Sequence, residues 1–189
     1  MLKLIGTFKQ FFENVVDGST TAVAVLPGGF KPPTKGHFNA LKYLLTDATS
    51  GVVFIGNKTR DGIGPEAAEY IWKIYSKYLP KPIDIKISNI TPVRSVYEFA
   101  DQNLGKKIIV GAGSKDEDIS RFNYFNRNVD KYPLVQVVKI PMQSNNISGT
   151  LTREKIASNI DEALMYFLPD EVKRNKADVA QIKHLLTTK

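Results

Sequence analysis

Short apolar runs recur along the chain and are separated by segments with helical spacing. The runs occupy residues 21–26, 51–56, 83–90, 107–111 and 135–140. They are rich in Val and Ile, and apolar and polar positions alternate little within them. Such runs are typical of strands that are covered on both faces, as in a parallel sheet. The pattern therefore predicts a sheet of buried strands.

Apolar residues at helical spacing fill the intervals between these runs. Helix-like segments occupy residues 36–45, 65–78, 95–103 and 116–126, and another, residues 150–160, follows the last run. Strands that alternate with helices of this length form right-handed βαβ units. We therefore expect an α/β fold, namely a Rossmann-like, doubly wound, five-stranded parallel sheet with helices on both faces.

Both ends of the chain are also predicted to be helical. Near the N-terminus, apolar residues repeat at helical spacing up to Asp17 and Gly18: Leu4, Phe8, Phe11, Phe12, Val15 and Val16. This amphipathic segment, residues 1–19, either packs on the core or docks on a partner protein. Residues 20–168 form the predicted main domain, and residues 169–189 form a helical tail.

The charge balance favours an anionic ligand. The 189-residue chain has 26 Lys and Arg against 19 Asp and Glu, a formal net charge of +7. The basic residues are spread along the chain without a dense run, and no nucleic-acid-binding motif accompanies them, so we do not expect a nucleic-acid partner. Binding of a nucleoside triphosphate together with a phosphorylated small molecule would explain the surplus of basic residues.

Cysteine content and hydropathy exclude several classes of protein. The chain has no cysteine, which excludes disulfides, thiolate metal sites and a cysteine nucleophile. No apolar run approaches the roughly 18 residues of a membrane span, and the N-terminus has no continuous signal-peptide core. We expect a cytoplasmic protein (in the host cytoplasm, if a phage encodes it) without a membrane partner.

Two loops contain the residues that are candidates for ligand binding and catalysis. The first, residues 27–37, follows the first apolar run and reads PGGFKPPTKGH; the second, residues 147–153, follows the last run and reads ISGTLTR. Each loop leads into a helix, where unpaired backbone N–H groups and the helix dipole attract anions. In a parallel sheet both loops lie beyond the carboxyl ends of strands. Together they predict a polyphosphate site.

These loops resemble the two signatures of the nucleotidylyltransferase superfamily, of the cytidylyltransferase-like type. The first signature is Gly-x-Phe-x-Pro-x-Thr/His-x-Gly-His, and the second is Ile-Ser-x-Thr-x-x-Arg. The first is matched by Gly28 or Gly29, Phe30, Pro32, Thr34, Gly36 and His37, and the second by Ile147, Ser148, Thr150 and Arg153. Both occur in the expected order, each after a strand-like run. The resemblance spans residues 21 to about 172.

The resemblance implies transfer of a nucleotidyl group from a nucleoside triphosphate to a phosphate oxygen, with release of pyrophosphate. His37 would donate to the α-phosphate or the bridging oxygen, Thr34 would bind the same phosphates, and Arg153 would add a cationic fork. The implied nucleotide-binding residues are Gly28, Gly29, Phe30, Gly36, Gly111, Ser148 and Thr150. No resident metal site is implied, because Mg²⁺ is expected to arrive on the triphosphate.

The predicted rim of the sheet offers further phosphate ligands. Lys58 and Arg60 follow the second run, where a lysine clamps phosphate in several members of the superfamily. We assign Lys58 to catalysis and Arg60 to the acceptor, although both could equally form a solvated basic turn. Arg94, after the third run, is the other candidate for the acceptor phosphate. Lys31 occupies a position of the first signature where Asp or Asn is common. This difference affects which acceptor the protein would prefer.

Resemblance to individual branches of the superfamily narrows the choice of acceptor substrate. The second signature looks more like the nicotinamide-mononucleotide adenylyltransferases, and the first looks more like the phosphopantetheine adenylyltransferases. We expect ATP as substrate, with nicotinamide mononucleotide favoured over phosphopantetheine. A cytidylyltransferase using CTP and a non-catalytic nucleotide-binding assembly protein are the remaining alternatives, and a homo-oligomer is left open.

Overall fold

The computed structural model describes residues 21–113, 115–141 and 147–188. The predicted N-terminal helix, residues 1–19, lies outside the described residues. Within them, one sheet contains β1 (Val23–Gly28), β2 (Ser50–Ile55), β3 (Ile83–Ile87), β4 (Ile108–Ala112) and β5 (Val135–Lys139). Its order is β3-β2-β1-β4-β5, and all neighbouring strands are parallel. The predicted fold class is confirmed.

The described ranges also contain nine helices. They are α1 (Lys35–Leu44), α2 (Pro65–Ser76), α3 (Pro92–Asp101), α4 (Asp116–Ser120), α5 (Asn123–Arg127), α6 (Gly149–Ser158), α7 (Ile160–Phe167), α8 (Asp170–Lys173) and α9 (Lys176–Thr187). None of these helices has the length and apolarity needed to cross a membrane.

The helices cover both faces of the sheet. Ala24 and Leu26 of β1 join a core that contains buried residues of α1, α2 and α7, whereas Val23 and Val25 join a second core with α3 and α5. The helices α1 and α2 thus share one face and α3 lies on the other. Right-handed crossovers require this change of face, because the chain reverses its direction across the sheet after β3. The reversal places a crevice at the carboxyl ends of β1 and β4.

Two predicted helices differ from the observed ones for local reasons. The helix predicted over residues 95–103 begins at Pro92, because the Thr91 hydroxyl accepts the N–H of Arg94 (3.2 Å) and proline fits the first helical position. The segment predicted as one helix over residues 116–126 is divided into α4 and α5. Phe122 lies at the break and is buried in the second core.

The region after α6 contains more helix than the predicted segment 150–160 implies. The side chain of Asn159 accepts the N–H groups of Asp161 and Glu162 and begins α7. The predicted tail forms α8 and α9, and both are packed on the main core through Val172 and Ile182. This end of the chain therefore supports the face of the sheet on which α1 lies.

Candidate active site

A cavity of about 1270 Å³ opens at the carboxyl ends of the strands. The loop after β1 forms its centre, loops after β2 and β3 form one half, and loops after β4 and β5 form the other. The described lining contains one carboxylate, that of Asp118. It contains five basic residues: Lys31, Lys58, Arg60, Lys115 and Arg121. The cavity exceeds the usual volume of a small-molecule site, roughly 300–1,000 Å³, and its charge favours anionic ligands.

The cavity brings together most of the residues that the sequence singles out. Those in its lining are His37, Thr34, Lys58, Gly28, Gly29, Phe30, Gly36, Gly111, Ser148 and Arg60. Arg153, Thr150 and Arg94 are not part of the lining. The two signature loops, which are far apart in the sequence, therefore border one space, and the role of each residue stays a prediction.

His37 lies in the first turn of α1 with its ring edge-on to Phe30, the ring centroids being 4.9 Å apart. Its Nδ1 accepts the backbone N–H of Thr34 (3.0 Å). Burial lowers the pKa of His37 from the ordinary 6.5 to about 4. The imidazole is therefore neutral near pH 7, and because Nδ1 is an acceptor its hydrogen is on Nε2. His37 can thus donate one hydrogen bond from Nε2.

Thr34 is the N-cap of α1 and is almost completely buried. Its hydroxyl oxygen lies 3.0 Å from Nδ1 of His37. Together with the Thr34 backbone N–H, this contact fixes the orientation of the imidazole. The structure therefore shows Thr34 positioning His37, and a direct contact of Thr34 with phosphate stays a prediction.

The second signature loop opens α6. Ser148 is the N-cap of this helix, and its Oγ accepts the N–H of Leu151 (3.0 Å). Among the described residues, no acceptor takes the hydroxyl hydrogen of Ser148. Thr152 is fully buried and donates to the Ser148 carbonyl (2.9 Å), which holds the turn in place. A helix N-terminus with a serine hydroxyl at its cap is a suitable site for phosphate oxygens.

Arg153 connects three segments around the site. Its Nε forms an ion pair with Asp61, its Nη1 donates to the Lys31 carbonyl (3.3 Å), and its Nη2 donates to the Thr150 hydroxyl (3.3 Å). The guanidinium therefore lies between the two signature loops and the loop after β2. Asp61 is 92 residues away in the sequence, and nothing in the sequence pattern indicates this pair.

The remaining predicted residues are placed in different surroundings. Lys58 and Arg60 are exposed at the rim of the β2 half, and neither forms an ion pair within the described ranges. Arg94 pairs with Glu98 (3.0 Å) on the exposed face of α3, so its placement gives no support to an acceptor role. A Cβ on Gly111 would lie 2.5 Å from Leu44 Cδ1. Core packing alone therefore accounts for glycine at position 111.

Three basic residues of the cavity were not among the predicted site residues, namely Lys31, Lys115 and Arg121. Lys115 follows β4, and the rule that ligands bind beyond the carboxyl ends of strands could have identified it. Arg121 lies inside the segment predicted as one continuous helix, and no sequence signal distinguishes it. In the structure it pairs with Asp118 (3.4 Å) and adds positive charge to the β4 half of the cavity.

The described residues do not include a protein cage for a divalent cation. No group of three or more His, Asp or Glu side chains in these ranges is placed to hold a metal ion. Asp118, the one carboxylate of the described lining, is already paired with Arg121. An Mg²⁺ ion that is bound mainly by substrate phosphates needs no such cage. That Mg²⁺ enters the site bound to the triphosphate stays a prediction.

Comparison with solved structures shows the fold in known proteins. A candidate nicotinate-nucleotide adenylyltransferase from Vibrio parahaemolyticus has a TM-score of 0.60 and 14% identity over 89% of this chain and 99% of its own. A nicotinic acid mononucleotide adenylyltransferase from Plasmodium falciparum, complexed with APC, has a TM-score of 0.58 and 16% identity over 86% and 94%. The chain therefore shares the fold of these two adenylyltransferases.

A third structure shares the fold over part of its length. It is a bifunctional NMN adenylyltransferase/ADP ribose pyrophosphatase from Francisella tularensis, complexed with AMP and a Mn ion, with a TM-score of 0.52 and 17% identity. The match covers 74% of this chain and 42% of that one. No protein-family model and no curated protein sequence matches the chain. The three comparisons confirm the predicted fold, which this chain shares with these adenylyltransferases.

Proposed function

We propose that this protein transfers the adenylyl group of ATP to the phosphate of a pyridine mononucleotide and releases pyrophosphate, with nicotinamide mononucleotide as the favoured acceptor. One observation carries the proposal: His37 and Ser148, from the two signature loops, line the same basic cavity. The three structural neighbours are named as adenylyltransferases of nicotinamide or nicotinic acid nucleotides, which supports this class of acceptor.

In this reaction an oxygen of the acceptor phosphate attacks the α-phosphorus of ATP. The bond between that phosphorus and the oxygen leading to the β-phosphate breaks, and pyrophosphate leaves with the electron pair. Catalysis of such a transfer needs positioning and charge stabilisation rather than a covalent enzyme intermediate. Mg²⁺ bound to the triphosphate would neutralise part of the charge on the leaving pyrophosphate.

Five of the predicted site residues have a chemical task in this proposal. The Nε2–H of His37 donates to the α-phosphate or to the bridging oxygen as negative charge builds there. The hydroxyl of Ser148 and the first N–H groups of α6 hold the β- and γ-phosphates. Arg153 presents its guanidinium to the same phosphates. In the other half of the cavity, Arg60 attracts the acceptor phosphate and Lys58 stabilises charge on the phosphates during the transfer.

A pyrophosphate-release assay with crossed substrates tests the proposal. ATP and CTP are each combined with nicotinamide mononucleotide, nicotinic acid mononucleotide, phosphopantetheine and glycerol phosphate. We expect the highest kcat/KM for ATP with a pyridine mononucleotide. Turnover with CTP alone would contradict the assignment of ATP, and tight nucleotide binding without turnover on any acceptor would favour an assembly protein.

Gly28→Ala is expected to lower kcat by at least tenfold. A Cβ on Gly28 would lie 2.6 Å from ring atoms of Phe30, so the ring must move. Because that ring packs against His37 in a T-shaped arrangement, the imidazole loses its support on one side. Steady-state pyrophosphate release by the purified variant measures the effect.

Gly105→Ala is the matched control for this change. A Cβ on Gly105, in the exposed turn before β4 and outside the cavity lining, would meet no heavy atom within 4 Å, so the same substitution there is expected to leave kcat within about twofold. Equal losses in both variants would contradict the claim that Phe30 positions His37.

A further inference from the structure

Lys31 is a buried lysine with an incomplete set of partners. Its side chain is part of the cavity lining although the residue is only 4% exposed. Its Nζ donates to the carbonyl oxygens of Gly29 and Gly56, each at 2.9 Å. The ammonium has three N–H bonds, and the described residues supply no acceptor for the third and no carboxylate in an ion pair. Buried charges are usually paired.

A neighbouring carboxylate offsets the burial of the Lys31 ammonium only in part. Burial lowers the pKa of Lys31 from 10.5 to about 8, an effect that attraction by Glu66 partly offsets and repulsion by Arg60 increases. At neutral pH the side chain is therefore still a cation, held in a poorly solvated position near another cation. An anion between Lys31 and Arg60 would satisfy both groups.

The position of the ammonium assigns it to one half of the cavity. The main-chain carbonyl of Lys31 is bound by Arg153 from α6, the side of the cavity where Ser148 lies. The side chain of Lys31, in contrast, donates to the carbonyl of Gly56, directly after β2. Lys58 and Arg60 line this same half. The missing anion is therefore expected beside the β2 loop rather than at the N-terminus of α6.

We propose that Lys31 binds the phosphate of the acceptor substrate, in a subsite completed by Arg60 beside the end of β2. The identification of the anion as the acceptor phosphate rests on the proposed adenylyl transfer, whereas the anion subsite itself rests on the geometry of Lys31. Because Asp or Asn is common at this position of the first signature, the subsite would distinguish this chain in the acceptors it selects.

Binding of inorganic sulfate to the full chain, measured by calorimetry, tests the subsite. Saturation with α,β-methylene-ATP blocks the triphosphate position, so that the remaining sulfate binding reports the second anion subsite. Lys31→Met, which keeps the length and loses the charge, is expected to weaken sulfate binding at least tenfold. Lys106→Met removes the same charge from an exposed turn before β4 and is expected to leave the affinity unchanged.

The pH dependence in the unmodified protein provides a measurement that does not depend on the folding of a variant. Sulfate keeps its charge over the range used, and an anion needs the protonated form of Lys31. Since the pKa of Lys31 in the free protein is about 8, the affinity should be constant from pH 6.5 to 7.5 and fall up to tenfold per pH unit above 8. The charged groups around it that must be considered are Glu66 of α2, Arg60 and Lys58 of the β2 loop, His37 of α1 and Arg153 of α6.

The outcomes separate this proposal from the proposed function. Loss of both sulfate affinity and its alkaline decline in Lys31→Met supports the subsite, even if no acceptor turns over. Unchanged sulfate affinity in that variant, or no sulfate binding by the unmodified protein, overturns it. With turnover established, Lys31→Met should raise KM for nicotinamide mononucleotide at least tenfold and leave KM for ATP within twofold; the reverse pattern would also overturn the proposal.

Discussion

Replacing His37 with alanine is expected to slow pyrophosphate release by about 10²- to 10³-fold, the usual effect of removing one preorganised donor to a developing oxyanion. The neutral ring offers a single hydrogen on Nε2, because Nδ1 is occupied by the Thr34 N–H. The donation strengthens only as charge builds, so kcat should fall while the affinity for ATP stays within a few-fold. Single-turnover assays and nucleotide titrations measure the two quantities separately.

The chain contains its own control for this experiment. Its other histidine, His184, lies in α9 and contacts Thr188, away from the cavity lining. His184→Ala should leave kcat unchanged. His37→Gln keeps an amide N–H close to the position of Nε2 and should recover part of the rate. A wild-type rate in His37→Ala would remove the catalytic assignment.

Arg153→Ala is expected to lower kcat/KM by about 10- to 100-fold, since hydrogen bonds to charged groups contribute roughly 1.5–3 kcal/mol. The structure permits two explanations of such a loss. Arg153 either binds the triphosphate or holds the loops together through Asp61 and the Lys31 carbonyl. We expect phosphate binding to dominate, because the Asp61 carboxylate is largely exposed to solvent, which weakens its ion pair with the mostly buried Arg153 side chain.

Asp61→Asn separates these two explanations. Asp61 has a positive φ of 49°, a conformation that asparagine tolerates well. If Arg153 binds phosphate, this variant should keep or increase kcat/KM, because the guanidinium loses a competing carboxylate. A loss equal to that of Arg153→Ala would instead assign the arginine to loop support. Urea unfolding of both variants checks that stability changes by less than about 1 kcal/mol.

The strand pattern and the two signatures could be read from the sequence because they depend on local chemistry. Continuous apolar runs predicted buried strands, and the helix-entering loops predicted where anions could bind. The ion pair of Arg94 with Glu98 also follows a readable spacing of four residues. The acceptor role that the sequence predicts for Arg94 stays a prediction, and the structure places Arg94 outside the cavity lining.

The contacts that define the site in detail depend on tertiary structure. Lys31 meets Gly56 only because β1 and β2 are neighbours that end at the same edge. The Arg153 ion pair with Asp61 joins loops that no sequence spacing relates. Gly111 could be predicted to lie at the rim, but only packing against Leu44 explains why a side chain is excluded there. In each case the deciding partner is distant in the chain.

The most direct measurement of the central claim is a structure of the protein with α,β-methylene-ATP and Mg²⁺. We expect the α-phosphate within hydrogen-bond distance of Nε2 of His37, and the β- and γ-phosphates at Ser148 and the N-terminus of α6. A nucleotide bound elsewhere, or one whose phosphates contact only one of the two signature loops, would contradict it.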